Sequence, residues 1–202
     1  MGYEKLYLDL KPRLTGCDFD ESAERLGLKR IEGGVSVTLL GREFHVTAEG
    51  AEPADGLESG PNSRSVLVHY VTGGGWGKPG DDFLPLFSLT GMIEGQNAQN
   101  RSLMTEPLTR EFGGDVEKLK KAAARIGGEY LGPNSSGAHI WQFEALPKIP
   151  IRLEFYEADD EFPAEAQILF ESSAGKFMEF ECLAFLAGCM SSGLTGDRSD
   201  HP

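Results

Sequence analysis

Residues 138–170, AHIWQFEALPKIPIRLEFYEADDEFPAEAQILF, decide the fold. Three runs within them alternate apolar and polar side chains, and a period of two is the pattern of strands with one buried face. In 138–146 the apolar set is Trp141, Phe143 and Ala145; in 149–156 it is Ile151, Leu153 and Phe155; in 164–170 it is Ala164, Ala166, Ile168 and Phe170. Short connections between such runs predict antiparallel pairing, a β-meander. Residues 177–190 follow, apolar nearly all round except for Glu179 and Glu181. A helix of that kind packs buried across a sheet. The fold class is therefore α+β: an antiparallel sheet that includes a C-terminal meander, packed by helices that include a buried C-terminal one.

Working towards the N-terminus, residues 115–126 carry Val116, Leu119, Ala123 and Ile126 on one helical stripe, with Asp115 and Glu117 at the start. Lys120, Lys121 and Arg125 lie towards the end, complementing the helix dipole, and Gly127-Gly128 stops it. With Lys118 these residues form the densest basic cluster of the chain, which reads as a solvated helix face rather than a binding patch. A helix is expected over 103–112, started or interrupted by Pro107, after a partly extended stretch at 83–92. Residues 73–80, GGGWGKPG, read as a flexible loop. Val66, Leu67, Tyr70 and Val71 favour a short helix capped by Ser63 or Ser65, and 48–64 reads as loop. Val35-Ser36-Val37-Thr38-Leu39 and Glu43-Phe44-His45-Val46-Thr47 alternate around Gly41-Arg42, a type II′ hairpin signal. Helices are expected at 3–10 and at 18–28, the second capped by Asp18 or Asp20. One α+β domain over residues 1–190 with a flexible tail at 191–202 is the expected organisation.

The composition suits a domain of this size: 202 residues, 40% hydrophobic and 25% charged. The net charge of −13, from 32 acidic and 19 basic residues, repels phosphate backbones and anionic headgroups. Neither nucleic acid nor a membrane is an expected partner. No apolar stretch approaches the roughly 20 residues of a membrane span, and no signal-type segment opens the chain, so a cytoplasmic location is expected. Cys17, Cys182 and Cys189 match no zinc or disulfide framework. Two turns of helix separate the last two by about 10 Å, too far for a bridge, so they read as buried thiols.

Candidate chemistry is sparse. Between Leu153 and Glu171 there are seven carboxylates and no lysine or arginine. Asp159, Asp160 and Glu161 fall in the turn between two strands, and oxygen donors of this kind suit a divalent metal or a ligand amine. The competing reading is a solvated turn with one carboxylate capping backbone N–H groups. His69, among apolar neighbours and beside Tyr70, is the candidate acid or base. Trp76, in the glycine loop, is the candidate contact surface. None of the nucleophile, zinc or nucleotide motifs occurs.

Four segments in order carry a family resemblance: Leu39-Leu40-Gly41-Arg42-Glu43; Leu67-Val68-His69-Tyr70; Leu146-Pro147-Lys148-Ile149-Pro150; and Asp159-Asp160-Glu161-Phe162-Pro163-Ala164 leading into Ile168-Leu169-Phe170. Over about residues 35–190 the chain resembles the DUF3786 family, an uncharacterised family of anaerobic bacteria and archaea. The resemblance makes Asp160, Glu161 and Pro163 motif positions and implies a link to anaerobic redox or one-carbon metabolism. Some similar proteins carry a cysteine-rich iron–sulfur domain; here the three cysteines are scattered, so an iron–sulfur role would need a partner protein. A folding role for the motif competes, with Pro163 fixing a strand start, Phe162 plugging the core and Glu161 pairing with Arg152 or backbone donors. Two functions are thus expected: a non-catalytic binding or accessory domain of anaerobic metabolism, or a small metal-dependent enzyme using residues 159–161.

Overall fold

In the computed structural model, which describes residues 2–89 and 98–196, the strands form two antiparallel sheets with helices packed around them. The first sheet takes β1 (Lys29–Ile31), β2 (Gly34–Leu39), β3 (Arg42–Thr47) and β4 (Gly50–Pro53) in that order. The second runs β5-β9-β8-β7-β6, built from β5 (Phe83–Pro85), β6 (Gly128–Pro133), β7 (His139–Leu146), β8 (Ile149–Tyr156) and β9 (Glu165–Glu171). The meander expected from the alternating runs is β7-β8-β9, and Trp141, Phe143, Ile151, Leu153, Phe155, Ala166, Ile168 and Phe170 are all buried.

The helices are α1 (Gly2–Leu10), α2 (Phe19–Leu26), α3 (Pro61–Thr72), α4 (Leu86–Leu89), α5 (Ala98–Phe112), α6 (Val116–Arg125) and α7 (Phe180–Thr195). Asp18 caps α2, accepting from the Asp20 and Glu21 N–H groups, and Asp115 caps α6 through the Lys118 N–H. Helix α7 is the buried C-terminal helix and packs against α3, α5 and α6. It continues beyond residue 190: Ser191, Ser192 and Leu194 are buried and the helix ends at Gly196. The tail expected from 191 therefore begins too early, because small serines facing a helix neighbour look polar in sequence while packing as core. Residues 197–202 lie outside the described residues, as do 90–97, which take in the last three residues of the stretch 83–92 expected to be partly extended; of the rest, Phe83–Pro85 is strand and Leu86–Leu89 is helix.

Three local readings change. Residues 50–53 pair with β3 instead of looping, and α3 starts at Pro61, with Gly60 rather than a serine at its N-cap. The β2–β3 hairpin turns at Leu40-Gly41, because Leu39 pairs with Arg42. Both turn residues have positive φ, 49° and 77°, which makes it type I′ rather than II′. The glycine loop is tightly packed at its start: a Cβ on Gly75 would sit 2.3 Å from the Lys176 carbonyl oxygen and 2.6 Å from Phe177 Cα. Arg25, buried, donates to the Val71 and Gly75 carbonyls and fixes the same loop from the other side.

Candidate ligand cleft

The residues singled out by sequence do not converge. Tyr70 is buried in α3, and its hydroxyl accepts the Lys148 N–H at 3.0 Å, at the start of β8. Burial pushes its phenol pKa well up, so it stays protonated at physiological pH. His69, next to it, is half-buried; burial and then the charge of Arg13 hold it below the usual histidine range, while Glu179 pulls the other way. The acidic turn follows the far end of β8. Eight strand residues at about 3.3 Å each put roughly 25 Å between the two ends, so His69 and the carboxylates cannot share a reaction.

Within the turn, Asp159 Oδ1 accepts the Glu161 and Phe162 N–H groups at 2.8 and 2.7 Å, and the Asp159 N–H donates to the Phe162 carbonyl at 3.0 Å. Those backbone donors hold the carboxyl below its usual range. The Ala158 N–H donates to the Gly113 carbonyl and ties the turn to the α5–α6 junction. Asp160 and Glu161 point to solvent among exposed neighbours, and no group of three metal-ligating side chains occurs among the described residues. The geometry gives the turn a backbone-capping role. Phe162 does not plug the core but is 65% exposed. Arg152 pairs with Gln142 and stacks on Phe83, 3.9 Å above its ring, rather than meeting Glu161. Trp76 is 61% exposed, on the free side of the glycine loop.

A different place has the shape of a site. Five separate segments enclose a cleft of about 790 Å³: the β2–β3 turn, the loop 55–60, the start of α3, the end of α6 and the last turns of α7. Small-molecule sites usually measure about 300–1,000 Å³. Its apolar lining comes from Leu39, Leu40, Phe44, Leu57 and Ile126, and its polar lining includes Ser63, Arg125 and the thiol of Cys189.

Each wall has an identifiable cause. Leu40 is buried although its φ is 49°. A left-handed leucine costs about 1–2 kcal/mol, while burying its side chain returns about 1.5–3 kcal/mol, and its N–H bonds the Ala145 carbonyl at 3.0 Å. Burial therefore wins. Gly41 lies directly on the α6–β6 connection, where a Cβ would come within 3.1 Å of the Ile126 carbonyl carbon.

Arg42 makes the next wall. Its Nε and Nη2 hold the Asp55 carboxylate at 3.0 and 2.8 Å, while Nη1 and Nη2 donate to the Glu58 and Leu57 carbonyls. The guanidinium keeps the Asp55 carboxyl below its usual range. With its fork engaged in this way, Arg42 shapes the loop. At the opposite wall, Arg125 is exposed and tethered to the Leu194 carbonyl at 3.3 Å, and Ser63 bridges α3 to Cys189 at 3.6 Å.

The helix-decoration reading of Arg125 thus misses its position on the cleft, as the buried-thiol reading of Cys189 does, though Cys189 is indeed buried. The fold and the cleft define an α+β domain with a ligand-sized concavity. The chain belongs to the family described as domain of unknown function DUF3786, whose model matches residues 18–192. No curated protein and no solved structure matches it. No helix among the described residues is long and apolar enough to cross a membrane.

Proposed function

We propose that the chain is a binding or accessory domain whose ligand is a small amphipathic molecule held in the cleft. The observation that carries this reading is Leu40, a buried leucine held at a left-handed backbone angle on the wall of a cavity of ligand size. Strain of this kind persists where the surroundings over-determine it, and it gathers at ligand clamps. The apolar body of the ligand lies on Leu40, Phe44, Leu57 and Ile126. Arg125 meets its acceptor oxygens, a carboxylate being the simplest set that matches a guanidinium.

A thermal-shift series with aromatic and medium-chain carboxylates tests the reading. A ligand at about 100 times its dissociation constant adds about 2.7 kcal/mol to the folded state. The expected result is a saturable rise that Leu57→Glu and Arg125→Glu both reduce; both positions are exposed, so the fold should tolerate the changes. A flat series, or a rise that neither variant alters, counts against the cleft.

A further inference from the structure

A second constellation lies on β6 and β7, away from the lining of the cleft. Tyr130 pairs across the strands with Trp141, and the register then shifts between Tyr130 and Gly132. Such a bulge on an edge strand re-aims the neighbouring side chains. Here the Tyr130 hydroxyl comes to 2.7 Å from His139 Nδ1, and the two rings lie 5.9 Å apart, inclined by 27°. The other ring nitrogen, Nε2, faces the Glu157 carboxylate at 3.6 Å. With its proton on Nε2 towards Glu157, the imidazole presents the Nδ1 lone pair to the phenol. The nucleophile, its base and the group that orients the base then stand in line.

Lys120, held by Glu117, places its ammonium 4.6 Å from the centre of the Tyr130 ring. It sits where negative charge grows as the phenol loses its proton. Tyr130 is 37% exposed, so an electrophile can reach it. Glu117 and Glu157 beside it, in a chain of net charge −13, disfavour a phosphoryl dianion and leave a neutral carbonyl as the fitting electrophile.

We propose that Tyr130 is a base-activated phenol that accepts activated acyl groups, with His139 as the base and Glu157 as the residue that positions it. Tyr130 Oη bonds to the carbonyl carbon, the bond from that carbon to its leaving group breaks, and the phenol proton passes to His139 Nδ1. The imidazolium then returns the proton to the departing group. The product is an acyl ester on Tyr130, formed with no change of oxidation state.

N-acetylimidazole, followed by peptide mapping over time, tests this with an internal control. Tyr3 is 36% exposed and packs on the Phe185 ring, with no histidine nitrogen at hydrogen-bonding distance among the described residues. Tyr130 should be acetylated at least about tenfold faster than Tyr3, general-base help being worth roughly 10²–10⁴-fold in organised sites. His139→Gln should bring the ratio near one, and Glu157→Gln should lower it part of the way. Equal rates in the unaltered protein, or a ratio unchanged by His139→Gln, overturn the proposal. If His139→Gln does not fold, the ratio in the unaltered protein decides.

Discussion

The Leu40 N–H donates to the Ala145 carbonyl at 3.0 Å, and this bond joins the hairpin turn of one sheet to the end of β7 in the other. It locks the wall of the cleft to the meander. The strained turn is thereby a fixed part of the core and not a free loop tip.

Gly41 should accept no side chain. Its φ of 77° and the 3.1 Å approach to Ile126 act together. Gly41→Ala is expected to cost about 1–2 kcal/mol from the backbone conformation alone, with the contact adding to it. Urea unfolding measures the loss; an unchanged midpoint would mean that the turn relaxes freely.

Tyr70→Phe removes the acceptor of the Lys148 N–H while leaving the ring in place. The expected loss is about 1–2 kcal/mol, that of one buried hydrogen bond with a partner left unpaired. Denaturant unfolding of the variant checks the figure.

How far the sequence shows this fold depends on the face that each strand buries. Ile151, Leu153 and Phe155 alternate with half-exposed neighbours, so the period of two is plain. The edge strand β6 has no buried residue, and β4 is four residues long and ends in Pro53. Neither carries an alternation to read. The cleft was less legible still, because Leu40, Ser63, Arg125 and Cys189 are distant in the chain and meet only through the packing of α3, α6 and α7. Tyr130 and His139 are nine residues apart and meet as diagonal neighbours across the β6–β7 pair, Tyr130 standing opposite Trp141. In the acidic turn, composition leaves a ligand site and a backbone cap both open, and the bonds of Asp159 Oδ1 to the Glu161 and Phe162 N–H groups are those of the cap.

His69 gives the protein a pH dependence of known sign. Its pKa is lower folded than unfolded, so below about pH 6.5 the unfolded chain binds the proton more readily. Stability should fall as pH drops from there through the lowered value. His69→Gln should make the decline between pH 7.5 and 5 shallower in urea midpoints. A variant that tracks the parent protein at every pH would show that burial of this ring has no energetic consequence.

At the acidic turn, Asp159 is already engaged by two backbone N–H groups. Titrating chelator-treated protein with Mg²⁺ or Ca²⁺ should give no saturable stabilisation that depends on Asp160 or Glu161. A rise abolished by Asp160→Ala or Glu161→Ala would restore the turn as a metal site.

The cleft itself is tested most directly by amide chemical-shift mapping with 8-anilinonaphthalene-1-sulfonate, an amphipathic anion of suitable size. The binding account predicts shifts grouped at Gly41, Gly60, Ser63 and Gly193, saturating together with one dissociation constant and weakened by Arg125→Glu. Shifts centred on Trp76 or Phe162 with the cleft amides unmoved would contradict it.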